Sequence, residues 1–292
     1  MNHAVLGGAA AATLLAAAVA GQQSTFRASV DLVSVDVQAT AKGELVLGLG
    51  ASDFEVRDNG VLQRIESISG EGTAATVEPR QFPLDVVLVL DMSESVAGQK
   101  FTQLVDGAKA VLERLRPADR AALVTFSERT VVQHGLSSNI SSIARALDLL
   151  SAEGRTSMFD ALFVGLSLRR TTDTRQMVLL FSDGRDNSSW LDGQQLARMA
   201  RQSDVVVYAV GLDNRVKDDM KEIAEETGGA TIVAQSPREL RSLFSKLVHE
   251  MQARYILTYY ATGVPASGWH SIEVRLLRRR AELVARRGYW RK

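Results

Sequence analysis

Three short polar segments carry the residues of this chain that are best suited to bind a metal ion. The first contains Asp91, Ser93 and Ser95, the second contains Thr156, and the third contains Asp183. The first and third segments each end an apolar run that is typical of a buried strand. Ligands bind at the carboxyl ends of the strands in open α/β sheets, so we expect the three segments to meet at one edge of a sheet.

The donor atoms of these segments are two carboxylates and three hydroxyls, all of which are hard oxygen ligands. They suit Mg²⁺, with Mn²⁺ or Ca²⁺ as alternatives, and do not suit Zn²⁺. A helix that begins soon after Ser95 would point its positive end at the site, and the carboxylates of Asp91 and Asp183 have to offset that field. Because hydroxyl ligands are neutral, a bound cation would stay electron-poor and open to a carboxylate from a partner.

The middle of the chain has the pattern of an α/β domain that can position these segments. Nearly continuous apolar runs alternate with helical patterns, which predicts a doubly wound, mainly parallel sheet covered by helices on both faces. The predicted strands are Leu84–Leu90, Ala121–Phe126, Met177–Phe181, Val205–Val210 and Ala230–Ala234. Thr130–His134 fits a short antiparallel strand at the edge.

The two flanks of this domain have the pattern of β structure instead. Alternating apolar and polar residues predict the strands Val33–Ala39, Asp53–Arg57, Val61–Ile68, Tyr255–Tyr260, Ile272–Leu276 and Leu283–Ala285. Asn59-Gly60 predicts a hairpin turn because both residues tolerate positive φ.

The flanks also differ in charge. Between Val30 and Glu71 there are eight acids and three bases, and between Glu273 and Lys292 two acids and eight bases. We therefore expect both flanks to join in one small sandwich-like β domain that holds the α/β domain as an insertion. The alternative for the run Arg278–Arg280 is a solvated tail.

The predicted divisions of the chain are a signal peptide at 1–20, an N-terminal β piece with its linker at 26–80, the α/β domain at 83–250 and a C-terminal β piece at 253–292. Residues 6–20 are apolar and end in Ala18-Val19-Ala20, which resembles a signal-peptidase site; a short membrane anchor is the alternative. A signal peptide would direct the protein to the periplasm or outside the cell, and its cleavage would leave no transmembrane segment. The chain has no cysteine, so its fold needs no disulfide.

The residues of the three polar segments resemble the adhesion motif of von Willebrand factor type A domains, which consists of Asp-x-Ser-x-Ser, a separate Thr and a separate Asp. Asp91, Ser93, Ser95, Thr156 and Asp183 fill its five positions. The resemblance implies a Rossmann-like fold and a metal-ion-dependent adhesion site. There the serines, and in the ligand-bound form the threonine, contact the cation directly, while the aspartates often act through water.

The flanks resemble those of bacterial secreted relatives of that family, through Leu49–Phe54 followed by Asp58-Asn59-Gly60, and through Ala285–Tyr289. The flanks indicate no function, but the signal peptide and the five-residue motif together predict an exported, non-enzymatic module for cell adhesion or other protein binding. An Asp or Glu of the protein partner would complete the metal site.

Two alternatives remain open at this point. One is a Mg²⁺-dependent hydrolase of the phosphatase type, although such enzymes commonly need a second aspartate where this chain has Ser93. The other is a structural scaffold that leaves its metal site unused. Equal numbers of acidic and basic residues, 34 of each, give no indication of a nucleic-acid partner.

Other polar and aromatic residues are expected to serve the structure. Asp160 and Asp186 lie near the site but are expected to hold helix and loop backbone and not the cation. His134, His249 and His270 lack the spacing of a zinc site. The aromatic residues near the C-terminus are expected to pack in the core, with a contact surface as the alternative: Tyr255, Tyr259, Tyr260, Trp269, Tyr289 and Trp290.

Overall fold

The computed structural model describes residues 32–70, 82–168, 174–184, 186–212 and 214–291, with the backbone alone for 214–219. The predicted signal peptide at 1–20 and residues 71–80 of the predicted linker lie outside these ranges. None of the helices within the described ranges has the length and hydrophobicity to cross a membrane.

Strands and helices fill most of the described chain. The strands are β1 Leu32–Ala41, β2 Glu44–Leu45, β3 Phe54–Asp58, β4 Val61–Gln63, β5 Ile65–Ser69, β6 Leu84–Asp91, β7 Arg120–Phe126, β8 Thr130–Ser137, β9 Arg175–Phe181, β10 Val205–Gly211, β11 Ala230–Val233, β12 Tyr255–Tyr260, β13 Gly268–Leu276, β14 Glu282–Ala285 and β15 Gly288–Arg291. The helices are α1 Gln99–Arg114, α2 Ile140–Asp148, α3 Met158–Ser167, α4 Gly193–Gln202, α5 Asn214–Glu226 and α6 Leu240–Gln252.

Six strands form the central sheet in the order β11-β10-β9-β6-β7-β8. All neighbours are parallel except β7 and β8, so β8 is an antiparallel edge strand, as expected. The first strand of the sheet, β6, lies between β7 and β9, and the strand order reverses between β6 and β9. Their carboxyl ends therefore form the crevice in which open α/β sheets bind ligands.

Apolar side chains cover both faces of this sheet, as the nearly continuous apolar runs require. All eight residues of β6 are buried. Leu88 and Leu90 face a core that includes Leu104 of α1 and Phe244 of α6. Val87 and Val89 face the opposite core with α3 and α4. The predicted α/β fold is confirmed.

Two antiparallel sheets form the second part of the molecule. One has the order β14-β1-β12-β5, with β2 paired to β1, and the other has the order β15-β13-β3-β4. In the first sheet β1 pairs with β12 and β14, and in the second β3 pairs with β13. Strands from both ends of the described chain thus share each sheet, which confirms a small all-β part beside the α/β sheet. Its core includes Val35, Phe54, Val56, Tyr255 and Leu257.

The structure differs from the predicted strands in two places. The run Val61–Ile68 is divided at Arg64 into β4 and β5, which belong to different sheets. A further strand, β15, pairs with β13 near the C-terminus. The hairpin turn is as expected, because Asn59 and Gly60 have φ values of 46° and 79°.

Arginines connect the β-sandwich to the amino ends of the central strands. Arg175, at the start of β9, donates from Nε to Asp36 Oδ1 of β1 at 2.7 Å. Arg254 is buried between the two parts and donates to the Tyr208 hydroxyl at 2.8 Å and to the Gly228 carbonyl at 2.6 Å. None of these contacts involves the crevice at the carboxyl ends of β6 and β9.

Candidate metal centre

The first polar segment leaves β6 at Asp91 and passes through a 3₁₀ turn at Glu94–Val96 before α1 begins. Gly98 has φ +76° and ψ −132°, a conformation that only glycine adopts readily, and it allows the chain to turn into the helix. The Glu94 amide donates to the Gly154 carbonyl at 3.0 Å. That hydrogen bond fixes the first segment against the second, which contains Thr156.

Four of the five candidate ligands lie close together at this edge. Ser93 Oγ and Ser95 Oγ are 3.1 Å apart, and Ser95 Oγ donates to Asp183 Oδ1 at 2.5 Å. A β-carbon on Gly184 would lie 3.7 Å from Thr156 Oγ1 and 3.9 Å from Ser95 Oγ. Gly184 therefore leaves free space beside the threonine and serine hydroxyls.

The fifth residue, Asp91, lies deeper and is engaged by protein donors on both oxygens. Its Oδ1 accepts from the Ser93 amide at 2.8 Å and its Oδ2 accepts from Ser182 Oγ at 2.5 Å. Burial raises the pKa of the Asp91 carboxyl, the hydrogen bonds from Ser182 and Ser93 oppose this shift, and the negative charge of Asp183 adds to it. The cost of burying this carboxylate is the kind of cost that a nearby cation offsets.

A lysine that the sequence analysis did not single out also contacts this cluster. Lys100, in the first turn of α1, donates from Nζ to Asp183 Oδ2 and to the Ser95 carbonyl oxygen, the latter at 3.0 Å. The Asp183 side chain is 3% exposed and the Lys100 side chain is 41% exposed. Lys100 was not among the predicted residues because a protonated ammonium has no lone pair with which to bind a cation.

The loop after Asp183 is held against the Thr156 segment by its own polar side chains. Asn187 Oδ1 accepts from the Thr156 amide at 3.2 Å, and the Asn187 amide donates to the Thr156 carbonyl at 3.1 Å. Asp186 accepts from the Phe159 amide at 2.9 Å, and Asp160 accepts from the Trp190 amide at 3.0 Å. Asp160 and Asp186 thus bind backbone, as expected, and Asn187 is a further positioning residue.

The donor set fits a hard divalent cation. Within the described ranges no group of three or more His, Cys, Asp and Glu side chains could hold a metal ion, and the cluster here consists mainly of hydroxyls. Hydroxyl and carboxylate oxygens are ligands that Mg²⁺ and Ca²⁺ accept. Ser95 is exposed while Ser93 and Thr156 are buried, so a cation held here would be open to solvent on one side.

Two large apolar side chains in the α/β part are exposed. Trp190, in the loop between β9 and α4, is 96% exposed, and Leu149, after α2, is 86% exposed. The indole of Trp190 is exposed, although its backbone amide donates a hydrogen bond to Asp160.

His134, His270 and half of the C-terminal aromatic residues have structural contacts. His134 bonds to Ser142 Oγ at 2.7 Å, and Ser142 is not one of the candidate metal ligands. His270 is fully buried and bonds through Nδ1 to Asp58 Oδ1 at 2.7 Å. Tyr255, Tyr259 and Tyr289 are buried in the sandwich, whereas Tyr260, Trp269 and Trp290 are partly exposed, so the expected core packing holds for half of that set.

Comparison with known proteins identifies the family. The family model for the von Willebrand factor type A domain matches residues 85–246, which is more than half of the chain. An uncharacterised protein of Synechocystis sp. is 28% identical over 181 residues, which cover 59% of this chain and 42% of that protein. Mouse integrin alpha-X is 28% identical over 156 residues, which cover 48% of this chain and 13% of the integrin. The chain therefore matches less than half the length of these relatives.

Solved structures share the fold. The protein described as von Willebrand factor type A from Catenulispora acidiphila superposes with a TM-score of 0.54 at 11% identity, over 90% of this chain and 74% of that one. Proximal thread matrix protein 1 from the mussel byssus, solved with a zinc-occupied adhesion motif, gives a TM-score of 0.53 at 21% identity over 61% of this chain and 47% of that one. The family match and the shared fold lead to one conclusion: this chain belongs to the von Willebrand factor type A domain family.

Proposed function

We propose that this protein is an exported, non-enzymatic binding module that holds a divalent cation and uses it to bind a protein partner. The observation that carries the proposal is the convergence of Ser93, Ser95, Thr156 and Asp183 at the crevice between β6 and β9. Asp91 lies behind them and adds negative charge. Integrin alpha-X and matrilin-2 of mouse are relatives whose names support a role of the adhesion type.

In the proposed site Ser93 and Ser95 contact the cation directly, and Asp91 and Asp183 balance its charge. We propose Mg²⁺ as the cation, with Mn²⁺ or Ca²⁺ as alternatives, because the donor set consists of hard oxygens. The cation would be open on its exposed side, where an Asp or Glu carboxylate of the partner completes the coordination. Thr156 joins the metal ligands when the partner binds.

Calorimetric titration with Mg²⁺ and Mn²⁺ tests the metal site. Ser93→Ala and Ser95→Ala should weaken cation binding about 10- to 100-fold, the usual cost of losing one group at a metal site. Asp91→Ala and Asp183→Ala should weaken it further because each also removes negative charge. Ser167→Ala is the matched control, since its hydroxyl is exposed on α3 and bonds to the helix backbone at Phe163.

A pull-down from the source cells tests the partner, with Mg²⁺ in one sample and a chelator in the other. Thr156→Ala should reduce capture of the partner more than it reduces cation affinity. Capture that a chelator does not change, and that Asp91→Ala does not weaken, would show that the partner binds elsewhere.

Export and the absence of catalysis are parts of the same proposal. N-terminal sequencing of the exported protein should find a chain that begins at Gly21, and a chain that keeps residues 1–20 would indicate an anchor. A phosphatase assay with Mg²⁺ should detect no turnover, because Ser93 occupies the position where an enzyme of that type commonly needs a second aspartate.

A further inference from the structure

A positive side chain lies within the proposed cation site and engages one of its charged residues. Lys100 Nζ contacts Asp183 Oδ2, while Ser95 Oγ donates to Asp183 Oδ1. Both oxygens of this carboxylate are therefore bonded to donors from the segment that runs from Asp91 into the first turn of α1. Lys100 also bonds to the Ser95 carbonyl oxygen at 3.0 Å, which directs its ammonium into the site.

The position of Asp183 makes this contact significant. The carboxylate is 3% exposed, and a buried carboxylate needs a positive charge or hydrogen-bond donors close to it. A divalent cation and the Lys100 ammonium would both supply that charge. They repel each other, so the one that occupies the carboxylate weakens the binding of the other.

We propose that Lys100 is an internal counter-ion of Asp183 that a divalent cation has to displace, so that this lysine sets the cation affinity of the site. This inference rests on the proposed function. A cation that takes Asp183 leaves the ammonium beside the open side of the site, since the lysine side chain is 41% exposed. There it favours a ligand with a carboxylate, so the lysine weakens the binding of the cation alone and favours the complex of cation and acidic partner.

Titration of the full chain with Mn²⁺ or Mg²⁺ alone, without any partner, tests this proposal. Lys100→Gln should bind the cation at least about fivefold more tightly than the wild type. Even in bulk water, the repulsion energy of two unit charges 4 Å apart corresponds to about a fivefold change in a binding constant. Lys100→Arg keeps the charge and should bind the cation as weakly as the wild type.

Lys109→Gln is the matched control. Lys109 lies on the same helix, and its ammonium bonds to Asp148 Oδ1 on α2, so the variant removes the same charge from α1 without touching Asp183. Its cation affinity should equal that of the wild type. Thermal unfolding of each variant without metal checks that the fold is intact.

The possible outcomes separate the two proposals. Equal affinity of Lys100→Gln, Lys109→Gln and the wild type contradicts the counter-ion role, and so does weaker binding by Lys100→Gln, which would mean that the lysine positions Asp183 for the metal. In both cases the metal site itself stands. If neither the wild type nor Lys100→Gln binds a cation, or if Asp183→Ala binds as tightly as the wild type, the proposed metal site fails and the counter-ion role fails with it.

Discussion

Two fully buried aspartates each stand at the end of a strand, Asp91 in the α/β sheet and Asp58 in the sandwich. Their surroundings differ. The oxygens of Asp91 accept hydrogen bonds from small groups, the Ser93 amide and the Ser182 hydroxyl. Those of Asp58 accept from three large side chains, His270 at 2.7 Å, Tyr289 at 2.8 Å and Tyr259 at 3.0 Å.

The comparison contrasts a buried carboxylate for which we propose a ligand-binding role with one whose contacts are structural. Rings fill the space around Asp58 and satisfy its oxygens completely. Around Asp91 the neighbours are small hydroxyls and a second carboxylate, Asp183, whose negative charge would attract a cation. Burial of an aspartate is common to both regions, so the size and charge of the neighbours decide its role.

The largest expected effect comes from removing each aspartate in turn. Asp58→Ala leaves His270 and two tyrosine hydroxyls without their acceptor, and each buried group left unsatisfied costs about 1–3 kcal/mol. Asp91→Ala, measured in a chelator, should change the free energy of unfolding by only about 1 kcal/mol, because lost hydrogen bonds are offset by relief of a desolvated charge near Asp183. Urea unfolding measures both. Equal destabilisation by the two variants would contradict the comparison.

A somewhat smaller effect is expected from the cation itself. Mg²⁺ at a hundred times its dissociation constant should stabilise the wild type by about 2.7 kcal/mol, because it binds the folded state and not the unfolded chain. Asp183→Ala should lose this gain. Tyr289→Phe should keep it, although its starting stability is lower, and thermal unfolding with and without the cation provides the measurement. A gain of equal size in Asp183→Ala would place the stabilising cation outside the candidate site.

Alkaline pH should affect the sandwich through its tyrosines. Burial, followed by the negative charge of Asp58, raises the pKa of Tyr259, and burial with the hydrogen bond to Asp58 raises that of Tyr289. The unfolded tyrosines ionise near pH 10. The stabilising contribution is therefore fully present below about pH 10 and is lost as pH rises toward the folded-state pKa.

Above pH 10, each such tyrosine lowers the free energy of unfolding by up to about 1.4 kcal/mol per pH unit. Unfolding of Tyr259→Phe at pH 9, 10 and 11 should show a lower stability at pH 9 but a shallower decline than the wild type. An unchanged slope would mean that this hydroxyl ionises in the folded state as it does in the unfolded chain. Tyr260→Phe, which removes an exposed hydroxyl, serves as the control.

The smallest effect is expected at the apolar surface beside the candidate site. Trp190→Ala should change the free energy of unfolding by less than about 0.5 kcal/mol, because the indole is almost fully exposed and its burial contributes nothing to the fold. Tyr289→Ala, in the sandwich core, is the contrasting variant and should cost several times more. A large loss in Trp190→Ala would show that this side chain packs against the protein.

The sequence was sufficient for the features that depend on local patterns. Apolar runs alternating with helical patterns predicted the strands and helices of the α/β sheet, and the position of Asp91 and Asp183 at the ends of two such runs predicted that they lie at one edge. The flanks were recognised as β structure by their alternation. The hairpin at Asn59-Gly60 followed from the need for positive φ.

The features that were missed depend on contacts between side chains far apart in the chain. Asp58 and His270 are separated by 212 positions, and no local pattern indicates that they meet. Lys100 is nearer to the motif, but only the direction of α1 brings its ammonium to Asp183. The division of Val61–Ile68 at Arg64 depends on which sheet each half joins, and this information is not present in the alternation of the run itself.

The position of the arginine contacts has a mechanical consequence. The chain crosses between the sandwich and the α/β sheet twice, after Ser69 and after Gln252, while the candidate site lies at the opposite ends of the strands. A tensile load on a partner bound there would run down the strands to this junction. Arg254 lies at this junction, and among the described residues its buried Nε and Nη1 have no hydrogen-bond partner. Under such a load we expect the junction to yield before the central sheet does.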